Sequence, residues 1–198
     1  MCAAARVVEA IRDHSRKNKS YDDGAHDAMH VRRDDFKTMF PDTWLSADQL
    51  FETSKKELHK GSTLYIATNE KDKSFFKPFK ENYDVVFLDD FLDAIPGVNT
   101  NYYGMIDQVV AHKSRIFFGT YYSTLSGYVN RMRGYYIAKN KLEGYEDGTM
   151  ESYYFAPEAR ANEMRQYIPV TDPIWLREFP IGWRDIDKGI SFKERTNR

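Results

Sequence analysis

The sequence has little sulfur to work with. Cys2 is the only cysteine among 198 residues, so neither an internal disulfide nor a cysteine-built zinc site can form. No apolar run reaches the roughly eighteen residues that a membrane-spanning helix needs. Residues 1–5 are too short for the apolar core of a signal peptide, and Arg6 interrupts them. The expectation is a soluble polypeptide with no membrane segment. One sign of charge is also missing: the formal net charge is −1, so no global field draws nucleic acid. The familiar phosphate loops are absent. Gly61-Ser62-Thr63 has neither the lysine nor the glycine spacing of a Walker A loop, and no dinucleotide fingerprint occurs. No G-x-S-x-G elbow presents a serine nucleophile. Asp89 and Asp90 point in alternate directions with no third ligand placed, so no metal site is expected.

What the chain does have is aromatic bulk, 15% of residues, and enough length for one domain with a sizeable core. Its clearest unit runs through residues 115–136. A short apolar run from Arg115 to Phe118 reads as a buried strand that Gly119 ends. A hydroxyl cluster follows, Thr120, Ser123, Thr124 and Ser126. Apolar residues then recur at helical spacing at Leu125, Tyr128, Val129, Met132 and Tyr136. Ser123 is a natural N-cap. A helix start carries unpaired N–H groups and a positive dipole end, which suit a phosphate. An ordinary capped helix is the commoner reading of such a stretch.

Upstream, strand and helix alternate. Ala4, Val7, Val8 and Ile11 share a face of a helix expected over residues 3–18. Residues 28–31 read as a strand, and 36–45 as a loop with Pro41. Ser46 and Gln49 fit a capping box for a helix buried through Leu50, Phe51 and Leu58 and closed by Gly61. Residues 63–67 are a second strand. Residues 71–83 are amphipathic, and Pro78 breaks them unless it lies in a first turn. Residues 84–88 are a third strand, and 103–113 a helix. Four alternations predict a three-layer, mostly parallel α/β sheet over residues 1–136. Residues 137–198 read as a less regular extension of the same domain, with a short extended segment at 152–155.

Ligands of such sheets bind beyond the carboxyl ends of the strands. Those ends carry Arg32, Thr68-Asn69, Asp89-Asp90 and Ser123-Thr124, which are expected to face one crevice. Arg32 and Arg33 offer planar, permanently charged forks that suit phosphate, or else solvated ion pairs with Asp34 or Asp35. His30 shares a strand face with Arg32 and reads either as a core histidine or as part of a site. Asp107 lies at the edge of an apolar helical stripe. It reads as a helix-surface carboxylate near Lys113 or Arg115, or as an acceptor for the amino and ring N–H groups of guanine.

Taken together, these stretches resemble the GDP-fucose protein O-fucosyltransferase family in its plant and algal form. The likeness rests on His30-Val31-Arg32-Arg33-Asp34-Asp35-Phe36, Thr63-Leu64-Tyr65-Ile66-Ala67-Thr68-Asn69-Glu70 and Tyr83-Asp84-Val85-Val86-Phe87-Leu88-Asp89-Asp90-Phe91. It extends to Asn101-Tyr102-Tyr103-Gly104-Met105-Ile106-Asp107-Gln108, the block from Phe117 to Tyr136, and Phe179-Pro180 with Gly182-Trp183-Arg184-Asp185-Ile186-Asp187. The resemblance implies a Rossmann-like domain, the donor-binding second half of a GT-B glycosyltransferase, with the acceptor-binding first half outside this sequence. It implies inverting, metal-independent transfer of fucose from GDP-fucose to a protein or glycan hydroxyl, in the secretory pathway at the Golgi. By the same resemblance Arg32 is catalytic, contacting the β-phosphate. His30 supports it or touches the donor, Asp107 reads guanine, and Ser123, Thr124 and Leu125 hold the diphosphate and sugar. GDP-fucose enters as substrate, and no cofactor is called for. The alternative is a nucleotide-sugar-binding remnant without turnover. One departure stands inside the H-x-R-R motif: the family often has glycine where this chain has Asp34, a carboxylate expected to compete for Arg32.

Overall fold

The structure, a computed structural model, describes residues 2–18, 20, 23–141 and 151–155. Helix α1 (Ala3–Lys17) buries Val7 and Ile11 and ends with basic residues at its negative dipole end. Strand β1 (Asp27–Val31) follows, then a short helix α2 (Phe36–Met39) and a 3-10 turn at Pro41–Thr43 where a loop was expected. Helix α3 (Ala47–Ser54) opens on the expected capping box: Ser46 Oγ accepts from the Gln49 amide, and Gln49 returns a bond to the Ser46 amide. It stops at Ser54, well before Gly61. That glycine, at φ +79°, instead turns the chain into strand β2 (Thr63–Thr68).

Residues 71–83 do not form one helix. A 3-10 turn (Lys73–Phe76) gives way to α4 (Lys77–Lys80), with Pro78 in the first turn, where its missing N–H costs nothing. Strand β3 spans only Asp84–Val86; the chain then coils at Leu88–Ala94, because Asp90 Oδ2 accepts the Phe87 amide and ends the extended run. Helix α5 (Tyr103–His112) leads to strand β4 (Phe117–Thr120), which includes Gly119 rather than stopping at it. Helix α6 (Thr124–Asn140) runs one turn beyond its expected end, and β5 (Ser152–Phe155) is the extended segment expected there. Of the less regular extension expected over 137–198, residues 142–150 and 156–198 lie outside the described residues.

The strands form one sheet in the order β3-β2-β1-β4-β5, and every pair is parallel. Each crossover carries helix or helical turns, as parallel pairing requires. Alternate side chains feed two cores. Ala28, Tyr65, Ala67 and Phe117 meet α1, α5 and α6 on one face. Met29, Leu64, Ile66 and Phe118 meet Leu50, Phe76 and Phe79 of the α3–α4 region on the other. Each such fully buried apolar side chain stabilises the fold by about 1.5–3 kcal/mol. The result is the expected three-layer, Rossmann-like α/β fold.

Strand order places the site. From β1 the chain builds outward through β2 and β3, then returns to lay β4 on the other side of β1. The reversal lies between β1 and β4. Helices entering there leave a crevice outside the strand ends, the usual ligand position in such sheets.

Candidate functional site

The ends of β1 and β4 are tied by one hydroxyl. Thr120 Oγ1 donates to the His30 carbonyl at 3.0 Å and accepts the Arg32 amide at 2.9 Å. The Ser123 amide reaches the Thr120 carbonyl at 3.3 Å, closing the tight turn into α6. Tyr122 holds that turn at φ +62°, and its ring stacks on Phe40, 4.9 Å away, in the loop after β1. Arg32 and the start of α6 are thus on one rim, as the sequence suggested.

His30 projects from β1 toward α6. It is buried, and its Nδ1 lies 2.8 Å from Ser126 Oγ. Burial first, and the Arg32 charge second, push its pKa down to about 3, so the imidazole is neutral at physiological pH. It therefore acts as a neutral support. Gly119 makes the contact possible: a Cβ there would sit 2.8 Å from both Cβ and Oγ of Ser126. Thr120 and Ser126 were legible as hydroxyls but not as partners, because their roles depend on strand pairing that local sequence does not encode.

Arg32 keeps its guanidinium half-exposed, with Nη2 2.9 Å and Nε 3.1 Å from Asp35 Oδ1. So exposed an ion pair is worth about 0–1 kcal/mol. Asp34, expected to compete for Arg32, faces elsewhere: its Oδ2 accepts from Asn69 Nδ2 at 2.9 Å. Its φ of +46° explains why glycine suits this position. Arg33 is structural. It lies between Trp44 and Phe75, with centroids 3.8 and 4.3 Å from its guanidinium carbon, and donates to the Leu45 carbonyl at 2.7 Å. Its Glu70 pair, at 3.4 Å, and the Arg33 amide bond to Asn69 join the ends of β1 and β2.

Asp107 sits in the second turn of α5, over β2. Tyr65, on β2, donates its hydroxyl to Asp107 Oδ1 at 2.5 Å. The helix-surface reading fails here: Arg115 pairs with Asp27, and Lys113 lies over Tyr136. Burial raises the Asp107 pKa to about 6, with Asp89 adding to the rise while the Tyr65 bond and Lys73 oppose it. Two strand spacings from β2 to β4 come to about 10 Å, the scale of a base-to-phosphate span.

Ser123 is buried beside the turn, Thr124 is exposed at the mouth of α6, and Leu125 packs against the α1–α5 core. What Leu125 can offer a ligand is its backbone N–H. Only part of the apolar stripe expected on α6 is buried: Leu125 and Val129 meet the core, and Tyr128 and Tyr136 do not. Ser126, Val129, Asn130 and Arg133 turn inward, while Tyr128 and Tyr136 are exposed. Fixed polar partners decide this: His30 takes Ser126, and Arg133 bonds backbone carbonyls between β4 and β5. Asp90 spends a carboxylate oxygen on the Phe87 amide. Among the described residues no group of three His, Cys, Asp or Glu is placed to hold a metal, and no helix is long and apolar enough to cross a membrane.

A five-stranded, all-parallel sheet flanked by helices, with Arg32 and the start of α6 at its switch point, defines a Rossmann-like α/β protein. The sequence profile of the GDP-fucose protein O-fucosyltransferases matches residues 1–136, and the chain belongs to that family. No curated protein matches the chain. Membership makes it a glycosyltransferase by family, with GDP-fucose as the implied donor and the secretory pathway as the family's compartment.

Proposed function

We propose that this chain binds GDP-fucose at the β1/β4 switch point, as the donor half of an inverting, metal-independent O-fucosyltransferase of GT-B architecture working in the Golgi. The diphosphate lies across the mouth of α6, where Ser123, Thr124 and the Leu125 amide donate to it. Arg32 faces the β-phosphate and His30 holds the end of β1 in place. Guanine meets Asp107 through its N1–H and exocyclic amine. In the transfer step an acceptor hydroxyl oxygen attacks the anomeric carbon, its proton passes to water, and the bond from that carbon to the phosphate oxygen breaks. Negative charge then gathers on the departing GDP, and Arg32 neutralises it where it develops. The acceptor is a hydroxyl of a protein or glycan.

The observation that carries this reading is the Thr120 hydroxyl joining His30 and Arg32 to the turn before α6. Calorimetry of the 198-residue chain with GDP, GDP-fucose and ADP tests it. Guanine nucleotides should bind in preference to ADP, and Arg32→Ala should lose GDP-fucose affinity and any acceptor-dependent GDP release. Equal binding of ADP and GDP removes Asp107 from base recognition; unchanged turnover in Arg32→Ala removes Arg32 from the mechanism.

A second reading, donor binding without turnover, is favoured by Asp35 occupying the Arg32 fork. It expects GDP-fucose binding with no GDP release under any acceptor, and a gain in affinity on Asp35→Asn, which frees the fork.

A further inference from the structure

We propose that Tyr65 is a positioning residue for base recognition: its hydroxyl fixes the plane of the Asp107 carboxylate so that both oxygens face the amino edge of a guanine. This rests on the reading of Asp107 given above and goes beyond it to a residue on a different element, buried under the crevice rather than lining it.

Tyr65 sits in the middle of the sheet, paired with Ala28 of β1 on one side and Val86 of β3 on the other. Its ring is fully buried, and as packing alone a phenylalanine would serve. The hydroxyl points at Asp107 Oδ1. Among the described residues no other hydrogen bond to that carboxylate is present, and Oδ2 is left for a ligand. An aspartate χ2 is broad and roughly two-fold, so an unheld carboxylate turns freely. A donor on one oxygen removes that freedom and still leaves a lone pair on Oδ1. Guanine brings two parallel donors, the ring N1–H and the exocyclic amine, and two donors need a carboxylate plane held still.

The support is itself rigid. His26 packs its ring edge-on to Tyr65, with centroids 6.5 Å apart, and its Nε2 lies 3.2 Å from the Val110 carbonyl of α5. The same histidine thus braces the strand residue and the helix that carries Asp107. Around the carboxylate stand Tyr65 from β2, Lys73 from the 3-10 turn after β2, and Asp89 from the coil after β3. Asp90 from that coil also faces Tyr65. The two aspartates favour protonation of Asp107, while Lys73 and the Tyr65 bond favour its ionised, guanine-binding form.

The test is calorimetry of the full chain with GDP and with inosine diphosphate, which lacks the exocyclic amine, from pH 5 to pH 8. Tyr65→Phe keeps the ring and its packing. The GDP-to-IDP affinity ratio should fall about five- to tenfold, a hydrogen bond's worth of orientation. The pH at which GDP binding is half lost should move upward, because the bond that held Asp107 ionised is gone. A packing role alone moves neither quantity, and that result overturns the proposal. Asp107→Asn separates the two layers. If it abolishes guanine preference while Tyr65→Phe changes nothing, only the role of Tyr65 falls. If Asp107→Asn leaves the preference intact, the base-recognition reading falls and the proposal with it.

Discussion

The Arg32 amide and the His30 carbonyl are both bonded to one atom, Thr120 Oγ1, at 2.9 and 3.0 Å. A side chain of β4 thereby fixes the backbone direction in which the Arg32 side chain leaves β1. The strand pairing places it: Gly119 is in register with His30, so Thr120 lies level with the residue after it.

Replacing Thr120 with valine keeps the shape and removes both bonds. The Arg32 amide is left without its acceptor, at a cost of about 1–3 kcal/mol for a buried group. GDP affinity measured by calorimetry should fall roughly two- to twelvefold if about half of that cost reaches the site. Thr120→Ser retains the hydroxyl and should restore affinity to within about twofold. Unchanged affinity in Thr120→Val would mean that these hydrogen bonds do not position Arg32.

Gly119→Ala pushes a methyl group into Ser126, whose Cβ and Oγ lie 2.8 Å from the new atom's position. Neither is the far end of a flexible side chain, so α6 must shift. Thermal or urea unfolding should show about 1–3 kcal/mol of destabilisation. Adding Ser126→Gly removes the obstacle, so the double variant should be more stable than the sum of the single losses predicts. Strict additivity would show that the two residues do not touch.

Much of this architecture could be seen in the sequence, for reasons that differ by element. The helix expected over 3–18 and the Ser46 capping box are local events, set by spacing and by one side chain reaching three residues along. The crevice was legible because strand ends in a parallel sheet all point one way. Three things were not. The inward face of α6 mixes Leu125 and Val129 with polar residues because Ser126 and Arg133 answer groups at β1, β4 and β5, and no helical period reveals partners on other strands. The split of 71–83 and the short β3 depend on Asp72 capping the Ser74 amide and Asp90 capping that of Phe87. Asp34 drew attention as a charge near Arg32, whereas the structure shows it bonded to Asn69 on a left-handed backbone.

Arg133 supplies a prediction about β5. Fully buried, it donates from Nε to Ser152 Oγ at 2.7 Å, from Nη1 to the Ser114 carbonyl at 2.6 Å, and from Nη2 to the carbonyls of Arg115 and Glu151 at 2.9 and 3.2 Å. Burial lowers its pKa to about 10, so it stays charged at neutral pH. Arg133→Met strands those carbonyls and should cost about 3 kcal/mol or more in unfolding free energy. Arg133→Lys should recover less than half of the loss, since a single ammonium cannot fork to four partners. Hydrogen exchange should show β5 amides losing protection first.

Acid stability follows from buried histidines. Burial is the largest cause for each: His26 and His112 are lowered to about 4 and His30 to about 3. A histidine depressed in the folded state stabilises it fully above the unfolded pKa near 6.5, and that stability drains away as pH falls toward the folded value. Asp107 acts the other way: raised to about 6, it takes up a proton in the folded state between about 6 and 3.8 and partly offsets the loss. Near pH 5 three histidines set against one aspartate leave the unfolded chain holding about two more protons. The slope is then on the order of 2–3 kcal/mol per pH unit. Urea unfolding between pH 6.5 and pH 4 should therefore show a steadily falling midpoint. His26→Asn, removing one of about two net protons, should flatten the slope by about half. A midpoint independent of pH across that window would mean the histidines are protonated in the folded protein and are not buried as the structure places them.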